Sequence, residues 1–340
     1  MTDAPSLTLL DVDGGEHALP GAAAALDGAA LAEATGWQLK PEGLCQGDVC
    51  VPLLGRPVAA GDGRVDLVEW AAALGLPLAV DADHAVAALA PAAHEVAVPG
   101  GDAPDLELPA PDGTVHRFGD QAGKKRLLIT WASWCGCRHE LASWQALQDE
   151  VGADRLGIYS VALDASAADA EPWIEAADVR YPVVVDTAHV TAERYGITNV
   201  PSVVWVDEDG HIAKPPTIAP GDDQFRDFTQ IDAETHHEAL RRWVDDGELP
   251  PTADDAPEPR SAAQQLALAE RRLAAWLHRE GHADAAAAHL EQAVELAPWD
   301  WTIRRGGIAL RGEDPFLGDE FLAFWQEWDG AGRPGYTPTT

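Results

Sequence analysis

Positive charge is scarce in this chain: 23 lysines and arginines stand against 57 aspartates and glutamates in 340 residues, a formal net charge of −34. Such a field repels phosphate backbones and anionic lipid, so nucleic acid and membrane surfaces are not expected partners. It does favour solubility. Long apolar runs are also lacking, and no stretch approaches the roughly 18 residues that a membrane helix needs. The opening MTDAPSLTLLDVDGGEHALP has neither the basic start nor the apolar core of a secretory leader. A cytoplasmic location is therefore expected. Cysteine is rare as well, at four residues. Thiols stay reduced in the cytosol, so two close cysteine pairs there point to redox or metal chemistry rather than to structural staples.

What is present is an ordinary globular balance, 46% hydrophobic and 24% charged, with length for two or three domains. We expect three. Residues 1–97 form an N-terminal α/β segment rich in alanine and glycine. Within it, GWQLKPEGLCQGDVCVPL turns back through Gln46-Gly47-Asp48 and brings Cys45 near Cys50. VDLVEWAAALGLPLAV has helical spacing that stops at Gly75 and Pro77. Residues 98–250 alternate strand and helix patterns: a hairpin around Pro111-Asp112-Gly113, the apolar run KRLLITW, the amphipathic stretch Glu140 to Val151, GIYSVAL, DAEPWIEAA, YPVVV, AHVTAERYG and SVVWVDEDGHI. That alternation predicts α/β packing around a central sheet. The Asp207-Glu208-Asp209-Gly210 turn predicts that the last two strands pair as a hairpin, and THHEALRRWVDD reads as an appended helix. PPTADDAPEPR is a linker. Residues 251–340 then read as an all-α extension. There Ala274, Leu277, Gly281, Ala286, Leu290, Ala293 and Pro298 fall at the offsets of one tetratricopeptide (TPR) helix pair. A single pair cannot bury its own core, so it is expected to pack on a neighbour or another subunit.

The chemistry sits in WASWCGCRHEL. Cys135 directly follows an apolar strand and precedes an amphipathic helix, where helix N–H groups and the helix dipole stabilise a thiolate. Arg138 adds positive charge, and Trp131 and Trp134 offer an apolar wall for a substrate disulfide. Cys137 is placed to attack a mixed disulfide formed at Cys135. One intervening residue makes a smaller disulfide ring than the usual two, and its strain favours the dithiol. Gly136 best tolerates such a bend. Cys45 and Cys50 are open to three readings: an auxiliary redox pair, a structural turn, or half of a four-thiolate zinc site with the central pair. The spacings CxC and CxxxxC fit zinc poorly, so no metal and no organic cofactor are expected. His139 reads as a solvated helix histidine. His211, His236, His237, His278, His282 and His289 show no ligand spacing matched to acids, and Trp299, Trp301, Trp325 and Trp328 read as helix anchors.

KRLLITWASWCGCRHEL resembles the TlpA and ResA-like branch of the thioredoxin fold, whose signature is close to WAxWCxxCxxE. The likeness continues through GIYSVALD, YPVVVD and YGITNVPSVVWVDEDGHI, over roughly residues 101 to 216. It implies a thioredoxin-like fold with a central mixed sheet, a cis-proline loop at Val200-Pro201 facing the cysteines, and Glu140 as proton acceptor and donor in thiol exchange. Three departures stand out: the shortened CxC, Ala142 where the family has proline, and no export signal. The shortened motif resembles a subgroup whose first position can be selenocysteine, the UGC type. The resemblance implies a thiol:disulfide oxidoreductase acting on a protein or small-molecule disulfide, with Cys135 attacking, Cys137 resolving and a separate electron donor. Two other readings compete with it. DAPDLELPAPDG also resembles the entry to peroxiredoxins, a thiol peroxidase reading, although TWASWC lacks their upstream proline and threonine. The third is a scaffold whose TPR-like helices are the working surface for a partner or for self-association.

Overall fold

Short runs of leucine and β-branched residues, punctuated by aspartate and glycine, build this chain from strands and brief helices. The computed structural model describes residues 5–92, 96–251 and 258–336. The chain divides into two units, Met1–Glu95 with Arg260–Ala297, and Val96–Pro259 with Pro298–Thr340.

The first unit holds a seven-stranded sheet in the order Ala59–Gly61, Arg64–Val65, Ala25–Asp27, Glu16–Ala22, Ser6–Leu10, Val86–Leu89, Leu78–Asp81. Asp27 and Asp66 each accept two backbone N–H bonds at the starts of helices Gly28–Thr35 and Leu67–Leu74, and Gly36 and Gly75 end those helices in the left-handed region. A separate three-stranded sheet pairs Gly43–Gln46 with Val49–Val51. Cys45 and Cys50 lie directly opposite one another there and are joined in a disulfide. The helix pair Ala262–Arg279 and Ala283–Leu296 belongs to this unit. Ser261 and Gln264 form a reciprocal capping box at its start, and Gly281 makes the turn at φ +85°. Arg272 donates to the backbone oxygens of Asp11 and Leu89. His289 lies 2.6 Å from Glu270 and 3.4 Å from Asp81 on the strand Leu78–Asp81.

The second unit is built on a five-stranded sheet in the order Val183–Val185, Leu156–Ala162, Lys125–Trp131, Ser202–Val206, Ile212–Ile218. The first three strands are parallel and the last two antiparallel to their neighbours. The buried run Leu127–Trp131 makes Lys125–Trp131 the central strand. The hairpin Glu107–Pro109 with Val115–Arg117 turns through Gly113, and Gly210 turns the final sheet hairpin. Helices Leu141–Val151, Ala167–Ala177, Val190–Tyr195 and Ala233–Asp246 follow the expected segments. This is the thioredoxin-like arrangement implied by the resemblance.

The single helical extension expected over 251–340 is corrected by the structure. Residues up to Ala297 pack with the first unit, while helices Trp301–Leu310 and Asp319–Gly330 pack with the second. The helix pair buries its apolar stripe on a sheet far away in sequence, and the last two helices bury an aromatic cluster of Trp301, Phe321, Phe324 and Trp328. Residues 252–257 of the expected linker lie outside the described residues. Among the described residues, no helix is long and apolar enough to cross a membrane.

Candidate active site

The cysteines sit where the sequence places them, between the central strand and the helix Leu141–Val151. Cys135 is extended (φ −111°, ψ 151°) and caps the single 3-10 turn Gly136–His139, with the Cys137 N–H donating to its sulfur at 3.4 Å. Its thiol also reaches the Val200 carbonyl at 3.6 Å. The Val200-Pro201 peptide is cis. Both cysteines are free thiols and both are buried, at 6% and 3% exposure.

Their environments separate the two sulfurs chemically. Burial pushes the Cys135 thiol up, but the hydrogen bond with the Cys137 thiol, the charge of Arg305, the Cys137 N–H and the charge of Arg138 together bring it down to about 7. Burial, the same hydrogen bond and the negative charges of Cys135 and Glu140 push the Cys137 thiol well above its ordinary range. Burial also holds Glu140 well above the usual carboxylate range, against the Gly221 N–H that donates to its Oε2 at 2.8 Å. At neutral pH the site therefore pairs a nucleophilic sulfur with a protonated one, beside a carboxyl able to carry a proton.

Arg305, on the helix Trp301–Leu310, went unread in the sequence. It is 5% exposed, donates from Nε to the Pro315 carbonyl at 2.7 Å, and stacks its guanidinium 4.1 Å from the centre of the Phe321 ring. Nothing local marks it, because its position depends on the aromatic cluster around it. The Trp301 N–H ties the start of that helix to the Thr198 carbonyl, just before the cis-proline loop. Asp164 was also missed. It accepts from the Ser133 hydroxyl at 2.6 Å and from the Ser133 N–H, so it braces the turn from behind, and burial pushes its carboxyl up to about 6 despite those bonds.

Several expected roles change. Trp131 and Trp134 do not form an open wall: both are buried, and the Trp134 indole donates to the Leu163 carbonyl. The aromatic wall facing the cysteines is made instead by Phe225, Phe228, Phe316, Phe321, Trp301 and Trp325. Arg138 turns from the cavity to donate to the Ser133 carbonyl and to lie over the Trp173 ring. Gly136 answers to space rather than to a bend, since a Cβ there would come within 2.7 Å of the Phe225 ring. Cys45 and Cys50 belong to the first unit and the Cys135 site to the second. His289, whose spacing marks no ligand set, lies against two acids, Glu270 and Asp81.

Residues 99–214 match the AhpC/TSA family. Among curated relatives, the thioredoxin-like protein YneN of Bacillus subtilis (strain 168) is 32% identical over 33% of this chain and 68% of its own. The thiol-disulfide oxidoreductase ResA of Geobacillus thermodenitrificans (strain NG80-2) is 27% identical over 34% of this chain and 67% of its own. The crystal structure of StoA from Bacillus subtilis is similar at 25% identity, covering 41% of this chain and 98% of that one, with a TM-score of 0.32.

Proposed function

This chain belongs to the thioredoxin-like thiol-disulfide oxidoreductases, and from that premise we propose that Cys135 attacks the substrate disulfide and Cys137 resolves it. The observation that carries this division of labour is the asymmetry of the two sulfurs, with Cys135 brought down to about 7 and Cys137 pushed up. As Cys135 attacks, one substrate sulfur leaves as a thiolate. Cys137 then gives up its proton, which Glu140 relays to a departing thiolate, and attacks the Cys135 sulfur to release the second thiol. The Pro201 loop holds the Val200 carbonyl against the sulfur, and Arg305 with Arg138 stabilises the thiolate. We read CGC as the one-residue-spacer, UGC-type subgroup. We read the helix pair of the first unit as TPR-like, spent on its own sheet. We read the reaction as cytoplasmic, a reading supported by the acidic, non-leader-like opening sequence, and there thiol pools could return electrons to the dithiol. The relatives named for disulfide exchange do not favour the peroxidase or scaffold readings.

The test uses bis(2-hydroxyethyl) disulfide, small and uncharged, and mass spectrometry. Cys137→Ser should accumulate a hydroxyethanethiol adduct on Cys135, while wild type passes on to a Cys135-Cys137 disulfide. Cys135→Ser should form an adduct on Cys137 at least about 10-fold more slowly at pH 7, because burial and Glu140 still hold that sulfur above its ordinary range. Equal adduct rates on the two sulfurs, or none on either, would refute the assignment.

A further inference from the structure

A thiol that exchanges disulfides with folded proteins needs its sulfur at the surface, yet Cys135 and Cys137 lie inside a cavity of about 210 Å³. The chain roofs this cavity with two of its own segments, residues 225–229 and residues 301–336. Phe228 stacks on Trp325 with ring centres 3.8 Å apart, the Tyr336 hydroxyl donates to the Thr229 carbonyl at 2.7 Å, and Phe225 lies over Gly136. The roof therefore closes from both segments onto the sulfurs. The volume falls below the roughly 300–1,000 Å³ of pockets for drug-sized ligands, so it suits one small substituent rather than a peptide loop. Aromatic rings dominate the lining, and Trp301 in its wall has a buried indole N–H with no partner among the described residues. The cation in the wall, Arg305, already lies against Phe321 and the Pro315 carbonyl.

We propose that the substrate of this site is a low-molecular-weight disulfide bearing a small, uncharged aromatic or branched apolar group, which enters the roofed cavity and reacts at Cys135. This rests on the assignment of Cys135 as the attacking thiol. The balance closes within one turnover. The Cys135 thiolate forms a bond to one substrate sulfur, the substrate S–S bond breaks, and the other sulfur leaves as a thiolate. Cys137 loses its proton, bonds to the Cys135 sulfur and displaces the second thiolate. The substrate gains two electrons, the dithiol loses two, and the Cys137 proton goes to a departing thiolate.

The test is single-turnover reaction of the pre-reduced protein with 4,4′-dithiodipyridine, followed by release of the thiopyridone, alongside insulin as a protein disulfide. Wild type should show rates that saturate with dithiodipyridine concentration. Trp325→Ala, and the milder Phe228→Ala at a partly exposed ring, should each raise the half-saturating concentration about 10-fold or more. Insulin reduction should stay at the background of added dithiothreitol in all three. A linear concentration dependence in wild type would overturn the proposal, as would insulin reduction by wild type, or its appearance when the roof is opened. The last result would make the roof a cover over a protein-disulfide site. Saturable reaction persisting in Cys135→Ser would instead strike the assignment of the attacking thiol.

Discussion

The Cys135 thiol is set by a balance of opposing influences, and one residue distant in sequence contributes to it. Burial alone raises a thiol, and here it is the largest influence. Hydrogen bonds from Cys137 and the charges of Arg305 and Arg138 reverse it, so the thiolate forms near neutrality. Arg305 is nearly buried and its charge is little screened by water. Removing it should therefore raise the Cys135 midpoint. In wild type the rate of iodoacetamide alkylation should rise with a midpoint near pH 7, while in Arg305→Gln the curve should move to higher pH. At pH 6.5 the variant should be alkylated roughly 3- to 10-fold more slowly. Superimposable curves would show that Arg305 merely packs. The place of Cys135 and Cys137 was legible in WASWCGCRHEL because a strand, a turn and a helix contiguous in sequence set it, while Glu140 was singled out only by the family resemblance. Arg305 and Phe225 were not, because only the folded chain carries them to the sulfur.

Among the elements, local signals placed those that cap and turn themselves. Asp, Ser and Gly at helix ends, Asp-Gly turns and period-two strands were all readable. Their partners were less so. The spacing of small and apolar residues predicts the helix pair Ala262–Arg279 and Ala283–Leu296, but it does not say which surface receives the pair. His289 marks that surface, since it bridges Glu270 of its companion helix and Asp81 of the sheet. The hydrogen bond to Glu270 raises the His289 pKa, burial opposes it, and the charges of Glu270 and Asp81 add to it. A histidine raised on folding contributes stability that is fully present below its unfolded value, about 6.5, and is lost as the pH climbs through the higher folded value. His289→Gln should therefore cost about 1 kcal/mol at pH 5.5 and much less at pH 9, measured by urea unfolding of the first unit through its own probes. A cost that is flat or growing with pH would remove the ion pairs from the account.

Across the whole molecule, the order of the chain and the order of its packing part company. The sequence suggests three consecutive domains, whereas the chain builds the first unit, then most of the second, returns to the first with residues 260–297 and ends in the second. Burial of apolar faces on distant sheets sets that route, and no local pattern records it. Charge is the property that acts at this scale without needing a map. With 57 acids and 23 bases, like charges repel over the folded surface, and unfolding relieves that repulsion by spreading them apart. The opposing attractions are mostly exposed pairs such as Arg155 with Asp245 and Arg117 with Asp105, each worth only about 0–1 kcal/mol. Repulsion summed over the excess acids should outweigh them. Screening shortens from roughly 14 Å at 0.05 M salt to about 3 Å at 1 M, which weakens the repulsion more than contact pairs. Raising sodium chloride across that range should therefore raise the thermal midpoint by about 5 °C, measured by circular dichroism at fixed pH. A falling midpoint would mean that the ion pairs, and not the excess of acid, govern how charge bears on the fold.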